Sequence, residues 1–591
     1  MLKLAPASAC GLVTALLFAA PTFAQQARPE ADLCAVTPGA QPLLPARLME
    51  GMGTTNMPVT TNSDDARKFF NQGVSQMHSF WFLESERSFL QAATLDPDMA
   101  MAYWGISVSA AGDYRPAFQL LRDPQDGGRV PAGGGDSTAV AQIARSVGGA
   151  ALEPAVRARE SIEKAMSLRD KVTPRERLYI EAEAARRNQA SKTKDADHIA
   201  GLRRLIAAYP DDLEARSILG LALLDGFDSV TKEPRKNTME GIAMLEAVVA
   251  KDDNNFGSHH YLIHGWEGSK TPERAWQACK RYPELVPNIP HALHMPGHIY
   301  AQSNRIADAA AAFAAAADNE RSYMAADVLY PNGHHGHNVH FLIHALNLEG
   351  RYQDSMTQVA HLMNDYKETP RERRGSSQRV TYRQGYYGLV KTLVRFERWN
   401  EILDGTTIPV YDRPEQNAWR VWAKGLAYAN TGKRAESQAA LAELTSLLPR
   451  LDASRRPMAV ARMELEATIA AHRGDRKQSR YLFRKAADLE AGLLYTEPPA
   501  YPRPVVEAWG QAALMLHDYT SAEKAYREAL SREPGGGRAM FGLASALTGL
   551  GRAADAEKVR EDARKAWARA DADLPQLKPV TRTADESGAQ Q

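Results

Sequence analysis

The sequence predicts an all-α protein built from consecutive helix-turn-helix repeats. Apolar residues recur at helical spacing through most of the 591-residue chain, and strand-like runs are few. One short pattern also recurs: a small residue, a large residue four positions later, alanine three positions after that, and proline five positions further on. Self-similarity of this kind indicates a repeat array better than a single globular domain.

Three segments keep this spacing, although the second has cysteine and tyrosine at the positions of the large residue and the alanine. They are "SERSFLQAATLDP" from Ser85, "AWQACKRYPELVP" from Ala275 and "AEKAYREALSREP" from Ala522. They resemble the second helix of the tetratricopeptide repeat (TPR), a 34-residue helix-turn-helix unit. The resemblance covers most of residues 63–570 and implies a TPR-like right-handed helical solenoid, a superhelix of helix-turn-helix repeats with loop insertions. Glycines stand where the resemblance places them in the first helices of the repeats: Gly73, Gly297, Gly425, Gly510 and Gly542.

The N-terminus has the pattern of a cleavable secretory signal. Lys3 precedes the apolar run "GLVTALLFAA", and the small residues of "TFA" precede Gln25. We therefore expect a signal peptide at residues 1–24, cut near Ala24/Gln25, and a periplasmic or secreted mature protein. Beyond this segment there is no run of about 20 apolar residues, so no membrane span is expected.

The repeats and their interruptions divide the mature chain. The C-terminal repeats carry no recognisable chemistry, and docking of a protein partner or simple capping of the array both stay open for them. The predicted boundaries are an N-terminal extension at 25–62, an N-terminal TPR-like region at 63–256 with a Gly-rich insertion at 123–137, His-rich repeats at 257–365, C-terminal TPR repeats at 366–574 and a disordered tail at 575–591.

Charge and cysteine content narrow the possible functions. The chain has 72 basic and 71 acidic residues, a balance that gives no indication of nucleic acid as a partner. Removal of the signal leaves two cysteines, Cys34 and Cys279, which are too few for a cysteine-rich zinc site. Any metal must therefore be held by histidine and carboxylate.

Histidines concentrate in one part of the chain. Of the 16 histidines, 11 lie between residues 259 and 344. When Ala275, Ala309 and Ser355 are aligned at position 20 of their repeats, the histidines fall into register, although an insertion lengthens the third repeat by 12 residues. The aligned residues are His291 and His337 at position 2, His260, His294 and His340 at position 5, His264, His298 and His344 at position 9, and Glu267 at position 12.

These four positions share one face of the first helix, because they are separated by three, four and three residues. In TPR-like proteins that face lines the concave groove. Histidine pairs on three neighbouring helices indicate a metal site, since imidazole is the commonest metal ligand. A polar groove for a peptide or a small ligand is the alternative. His334 and His335 are expected in an exposed loop, although one of them could act as a mobile ligand.

Seven motifs resemble one largely uncharacterised family of exported bacterial TPR proteins. The match runs from about 65 to 405 and is specific in order and spacing. It implies site residues but no reaction. The motifs are "HSFWF" (78–82), "AMAYWG" (100–105), "TPRERLYIEA" (173–182), "HYLIHGWE" (260–267), "HMPGHIY" (294–300), "HNVHF" (337–341) and "VRFERW" (394–399). The resemblance marks His78, His260, His264, Glu267, His294, His298, His337 and His340, and leaves His344 supported by register alone.

The chemistry of the donors suggests the cofactor. Imidazole with carboxylate and without thiolate suits copper, iron or zinc, bound as one or two divalent ions. We expect His260, His264, Glu267, His294, His298, His337 and His340 as ligands, with His78, His291 and His344 as possible additions and Tyr261 and Tyr300 around them.

Three functions are compatible with this pattern. The first is a metal-dependent oxidoreductase or hydrolase acting on a small molecule in the concave groove, with unknown catalytic residues. The second is a TPR scaffold that binds a peptide or protein without catalysis. The third is a metal-binding protein without turnover. The eight histidines and Glu267 favour the first and the third over the second. We expect the first, although the sequence does not separate it from the third and leaves the substrate open.

Overall fold

A computed structural model describes residues 46–55, 57–116, 154–228, 230–326, 333–364, 380–411, 413–451, 455–493 and 499–577. All of these residues belong to one compact unit, Pro42–Gln591. The predicted signal peptide, the Gly-rich insertion at 123–137 and the tail beyond residue 577 lie outside the described residues, so those predictions stay predictions.

Helices dominate the described residues, as predicted, and consecutive helices pack in pairs. The first eight are α1 Asp64–His78, α2 Phe82–Leu95, α3 Ala100–Ala111, α4 Pro154–Ser167, α5 Pro174–Arg187, α6 Lys194–Ala208, α7 Leu213–Ala222 and α8 Thr238–Lys251. The next eight are α9 Phe256–Trp266, α10 Trp276–Leu285, α11 Pro290–Gln302, α12 Ile306–Ala326, α13 Gly333–Leu348, α14 Tyr352–Asn364, α15 Val380–Arg395 and α16 Trp399–Leu403. The last eight are α17 Pro414–Asn430, α18 Arg434–Leu447, α19 Arg455–His472, α20 Arg476–Ala491, α21 Val505–Met515, α22 Tyr519–Arg532, α23 Gly537–Gly549 and α24 Ala553–Ala566.

The all-α, TPR-like solenoid is therefore confirmed. Within the described residues, β-structure is limited to a single isolated bridge between Phe227 and Pro234. Every described helix is also too short or too polar to cross a lipid bilayer.

The large residue of the second helix packs directly against the glycine of the first helix. Phe89 is fully buried and packs on Gly73 and Gly105, where an added Cβ would lie 2.8 Å and 2.4 Å from its ring. Tyr526 packs on Gly510 in the same way. Close packing leaves no room for a methyl group at these contacts, so the spacing found in the sequence reports interhelical packing.

Gly297 places the same contact inside the His-rich repeats. A Cβ at Gly297 would lie 2.5 Å from Cε1 of Phe313, a buried ring on α12. We expect Gly297→Ala to lower the free energy of unfolding by about 1–3 kcal/mol, because the buried ring or the α11 backbone must shift. Chemical denaturation measures the change. Gly492→Ala is the matched control, since its nearest contact is a backbone oxygen at 3.5 Å, and an equal loss in both variants would show that packing at Gly297 is not the cause.

The C-terminal repeats pack against the third His-rich repeat. The Trp567 indole N–H donates to the Leu348 carbonyl at 2.8 Å, and the Asp571 carboxylate accepts from the Gln353 backbone N–H at 2.9 Å. The Trp567 side chain is 2% exposed, so this is a buried contact. The end of the array is thus joined to the turn between α13 and α14.

Candidate metal centre

Three helices, α9, α11 and α13, position the histidines, and each is the first helix of its repeat. The rings on these helices meet, as the repeat register predicts. The ring centroids are 4.9 Å apart for His260 and His264, 4.9 Å for His260 and His291, 4.6 Å for His294 and His298, and 5.1 Å for His294 and His337.

His260, His264 and His291 form the tightest group. One ring nitrogen from each lies within 4.8 Å of the others, and the Nε2 atoms of His260 and His291 are 3.1 Å apart. Two imidazoles bound to one ion at about 2.0–2.1 Å place their nitrogens about 2.9–3.4 Å apart, for bond angles from 90° to tetrahedral. The spacing of His260 and His291 therefore suits a single transition-metal ion, and a ring nitrogen of His264 lies within 4.8 Å of both.

A second group lies next to the first. The Nε2 atoms of His294 and His298 are 2.7 Å apart, and both rings pack against Phe313 and Phe341. His337 on α13 contacts the rings of His294 and Phe341. The rings of His294, His298 and His337 are thus close together and lie against the rings of Phe313 and Phe341.

Three of these rings also contact an oxygen atom through Nδ1, the ring nitrogen opposite Nε2. The Nδ1 of His260 contacts the His78 carbonyl at 2.6 Å, and Glu267 lies 3.2 Å from Nδ1 of His264 and 2.9 Å from Nδ1 of His298. A carbonyl or carboxylate oxygen can only accept, so Nδ1 carries the proton and the neutral ring presents the Nε2 lone pair. Ligating histidines are usually held in this way.

Glu267 differs from its predicted place. α9 ends at Trp266, and Glu267 follows it in an extended conformation instead of continuing the helix as position 12. Its carboxylate turns back to the Nδ1 edges of His264 and His298, and its side chain is 1% exposed. We therefore assign Glu267 the role of orienting two histidines on different helices, where the sequence predicted a direct ligand.

Burial keeps the cluster neutral. It lowers the pKa of His260, His264, His291, His294 and His337 below the ordinary value of 6.5, and neighbouring imidazoles lower it further. The five rings are therefore unprotonated at neutral pH, which is the form that binds metal.

Burial also predicts how stability depends on pH. It lowers the pKa of His198, His335 and His344 to about 3, so each remains neutral in the fold and is protonated below pH 6.5 when unfolded. The unfolded state then binds more protons, and stability falls as the pH is lowered, by up to about 1.4 kcal/mol per unit for each group. Burial raises the pKa of Glu490 to about 7, so below that pH the folded state binds a proton that the unfolded state releases. The contribution of Glu490 to stability therefore grows as the pH is lowered, and it offsets the contribution of one of the three histidines.

The expected result for metal-free protein is a lower free energy of unfolding at pH 5.5 than at pH 7.5. Urea denaturation in the presence of a chelator at the two pH values measures it. A free energy that is unchanged or higher at pH 5.5 would show that these histidines are protonated in the fold.

His78 lies beside the cluster but turns its ring away. Its carbonyl holds His260, while its ring nitrogens lie 2.8 Å from the Tyr261 hydroxyl and 2.8 Å from the Glu214 carboxylate. His78 and Glu214 also line a cavity of about 910 Å³ together with Asn255. His78 thus contacts both the histidine cluster, through its carbonyl, and this cavity, and the Tyr261 hydroxyl holds its ring.

His340 and His344 contact other polar side chains. Nδ1 of His340 contacts Gln384 at 2.5 Å, and its Nε2 lies 3.2 Å from the Lys391 amine. His344 lies 4.0 Å from Glu533, a residue of the C-terminal repeats. His340 and His344 thus have polar partners outside the two histidine groups. Burial and then Lys391 lower the pKa of His340, and the His337 imidazole lowers it further, so His340 still lies near the cluster and its role as a ligand stays a prediction.

Tyr300 packs as a repeat residue. The Arg305 guanidinium lies 4.5 Å from the centroid of the Tyr300 ring, and this ring packs against the apolar core formed by α12 and α13. We therefore assign Tyr300 to the packing between repeats, where the sequence placed it among the surroundings of the metal.

Two side chains near the cluster were not predicted. Phe80 covers the first group, with its ring centroid 4.4 Å from that of His260, and it has a positive φ of 53° that is rare for a bulky residue. The Arg115 guanidinium lies 5.1 Å from the Phe80 ring and lowers the pKa of His264 after stronger effects from burial. "HSFWF" contains Phe80, but no pattern in the sequence singled out Arg115.

The placement of His334 and His335 in an exposed loop is wrong. Both lie in the first turn of α13, and His335 is 2% exposed, with its Nε2 3.2 Å from Nε2 of His361. The helix begins at Gly333, earlier than the repeat register indicated, so the histidines that precede His337 also join it.

The sequence matches no protein-family model and no curated protein. Solved structures with similar helix order include the human IFIT1 dimer with m7Gppp-AAAA (12% identity, 87% of this chain and 92% of that chain covered, TM-score 0.32). They also include the APC/C hetero-tetramer Cut9–Hcn1 (12%, 86% and 90%, 0.29) and yeast Tom70 (12%, 85% and 91%, 0.22). At these TM-scores the likeness says nothing about a ligand or an activity of this chain.

Proposed function

We propose that this chain is a TPR-like scaffold that binds a divalent transition-metal ion through His260, His264 and His291. The observation that carries the proposal is the convergence of three buried imidazoles, with ring nitrogens within 4.8 Å of one another. Repeat packing does not require histidine at these positions, whereas a metal ion does.

The donors indicate which ions fit. Three imidazoles without thiolate suit zinc, copper or iron and disfavour calcium and magnesium, which prefer oxygen ligands. We propose that His294, His298 and His337 bind a second ion. Because Glu267 contacts one histidine of each group, it would orient ligands in both centres.

A second candidate function is a metal-dependent oxidoreductase or hydrolase acting on a small molecule. One feature favours it: three histidines satisfy only part of a coordination shell, and the open position is where catalytic zinc sites hold water or substrate. The cationic Arg115 near these rings suits an anionic substrate. Turnover of ester or phosphate substrates, or metal-dependent oxygen consumption, by the loaded protein would distinguish this function from metal binding alone.

Metal analysis tests the proposal. Protein stripped with a chelator, incubated with Zn(II), Cu(II) or Fe(II) and then dialysed, is expected to retain at least one ion per chain by elemental analysis. Mg(II) and Ca(II) should not be retained under the same conditions. Loss of all three transition metals on dialysis would contradict the proposal.

We also propose that the mature protein is periplasmic or secreted and belongs to the exported family that its motifs resemble. The signal-like segment at 1–24 and the seven ordered motifs support this. Mass spectrometry of protein recovered from its native host should find an N-terminus at Gln25. An intact N-terminus on cytosolic protein would contradict it.

A further inference from the structure

A second carboxylate repeats the role of Glu267. Glu320, on α12, is fully buried, and its Oε2 accepts from Nδ1 of His334 at 2.9 Å and from Nδ2 of Asn338 at 2.7 Å. Asn338 is fully buried as well. A buried carboxylate is costly unless it is well partnered, so this arrangement fixes both the carboxylate and the ring that it holds.

The fixed ring faces the histidine cluster. The Glu320 carboxylate accepts from Nδ1 of His334, so Nε2 is the ring nitrogen left to bind a metal ion, as in His260, His264 and His298. Its ring centroid lies 5.9 Å from that of His337, on the same turn of α13. It lies 6.0 Å from His291 and 6.3 Å from His294, both on α11.

His334 would give the second group of histidines a fourth donor. His294 and His298 approach each other through Nε2 at 2.7 Å, and both are on α11. A metal ion between α11 and α13 would be bound from both sides only if α13 also contributes ligands. His334 and His337, three residues apart, share a face of that helix. An ordinary surface ion pair does not explain why the partner of His334 is a fully buried carboxylate.

We propose that His334, oriented by Glu320, is a metal ligand that completes a second centre with His294, His298 and His337. This inference rests on the proposed function, because it assumes that the cluster binds transition metal. His334, which the sequence places in an exposed loop, then belongs to the site. Glu320 orients a ligand of the second centre through Nδ1, as Glu267 does for His264 and His298. The His334 side chain is 30% exposed, so this ligand also lies where an ion would enter.

Co(II) is the probe for the test, because its visible absorption reports each bound equivalent. Wild-type protein is expected to bind two equivalents. His334→Ala should bind the first with unchanged affinity and bind the second at least about tenfold more weakly, and Glu320→Gln should weaken the second by about 10–100-fold. His472→Ala, which removes a histidine of α19, is the matched control and should behave as wild type. Circular dichroism of the metal-free proteins checks that each variant is folded.

The outcomes separate the two proposals. If wild-type protein binds no Co(II), the proposed function fails and this inference fails with it. If wild-type protein binds one equivalent only, or if folded His334→Ala and Glu320→Gln both bind two equivalents with wild-type affinity, the second centre with these four ligands is overturned while metal binding stands.

Discussion

Replacing both His260 and His291 with alanine is expected to abolish tight metal binding at the first centre. The two Nε2 atoms are 3.1 Å apart, and the double variant leaves only His264 of the three converging imidazoles. The loss of affinity should exceed about 100-fold, which is the upper end of the loss expected on removing a group that merely orients a ligand. Titration of the metal-free variant against a chelator of known affinity measures it.

Glu267 contacts His264 and His298, which the double variant keeps. Removal of the two rings leaves the buried carboxylate with both of its histidine partners, so the fold should survive. His517→Asn serves as control, since His517 has a φ of 55°, which asparagine tolerates, and lies far along the chain on the turn before α22. Unchanged affinity in the folded double variant would show that these residues are not ligands.

Glu267→Gln is expected to weaken both centres together. The two carboxylate oxygens accept from Nδ1 of His264 and Nδ1 of His298, and a glutamine amide can replace only one of them as an acceptor. Metal affinity at each centre should fall by about 10–100-fold, because ring orientation and ligand basicity both depend on that contact. Co(II) and Zn(II) titrations give the two affinities separately.

The pattern of the loss distinguishes orientation from ligation. A direct ligand of one ion would affect a single centre, whereas a bridging acceptor affects both. Glu284→Gln, an exposed glutamate on α10, is the matched control and should leave both affinities unchanged. An effect confined to one centre would return Glu267 to the role of ligand that the sequence suggested.

The sequence predicted the solenoid because repeat packing imposes a period. The contacts of Phe89 with Gly73 and of Tyr526 with Gly510 need a glycine and a large residue at fixed separation, so the separation is visible without a structure. Histidines on the first helices of adjacent repeats obey the same period, and for that reason the sequence could place His260, His264, His294 and His298 near one another.

The repeat period in the sequence did not predict the positions of residues at helix ends or in tertiary contacts. Glu267 lies beyond the end of α9, and the helix that carries His334 begins before the repeat register indicates. The acceptor for His260 is the carbonyl of His78, 182 residues away in the sequence. His340 shared the register of the cluster but is turned towards Lys391 and Gln384 by α15. These positions depend on helix ends and tertiary contacts, which hydrophobic spacing does not report.

Anomalous X-ray diffraction from crystals of Zn(II)-loaded protein is the decisive test of the proposed metal site. We expect an anomalous peak bound by Nε2 of His260, His264 and His291 at about 2.0–2.1 Å. The absence of a peak bound by these three histidines at full loading, whether or not a second peak lies at His294 and His298, would show that they do not form the site.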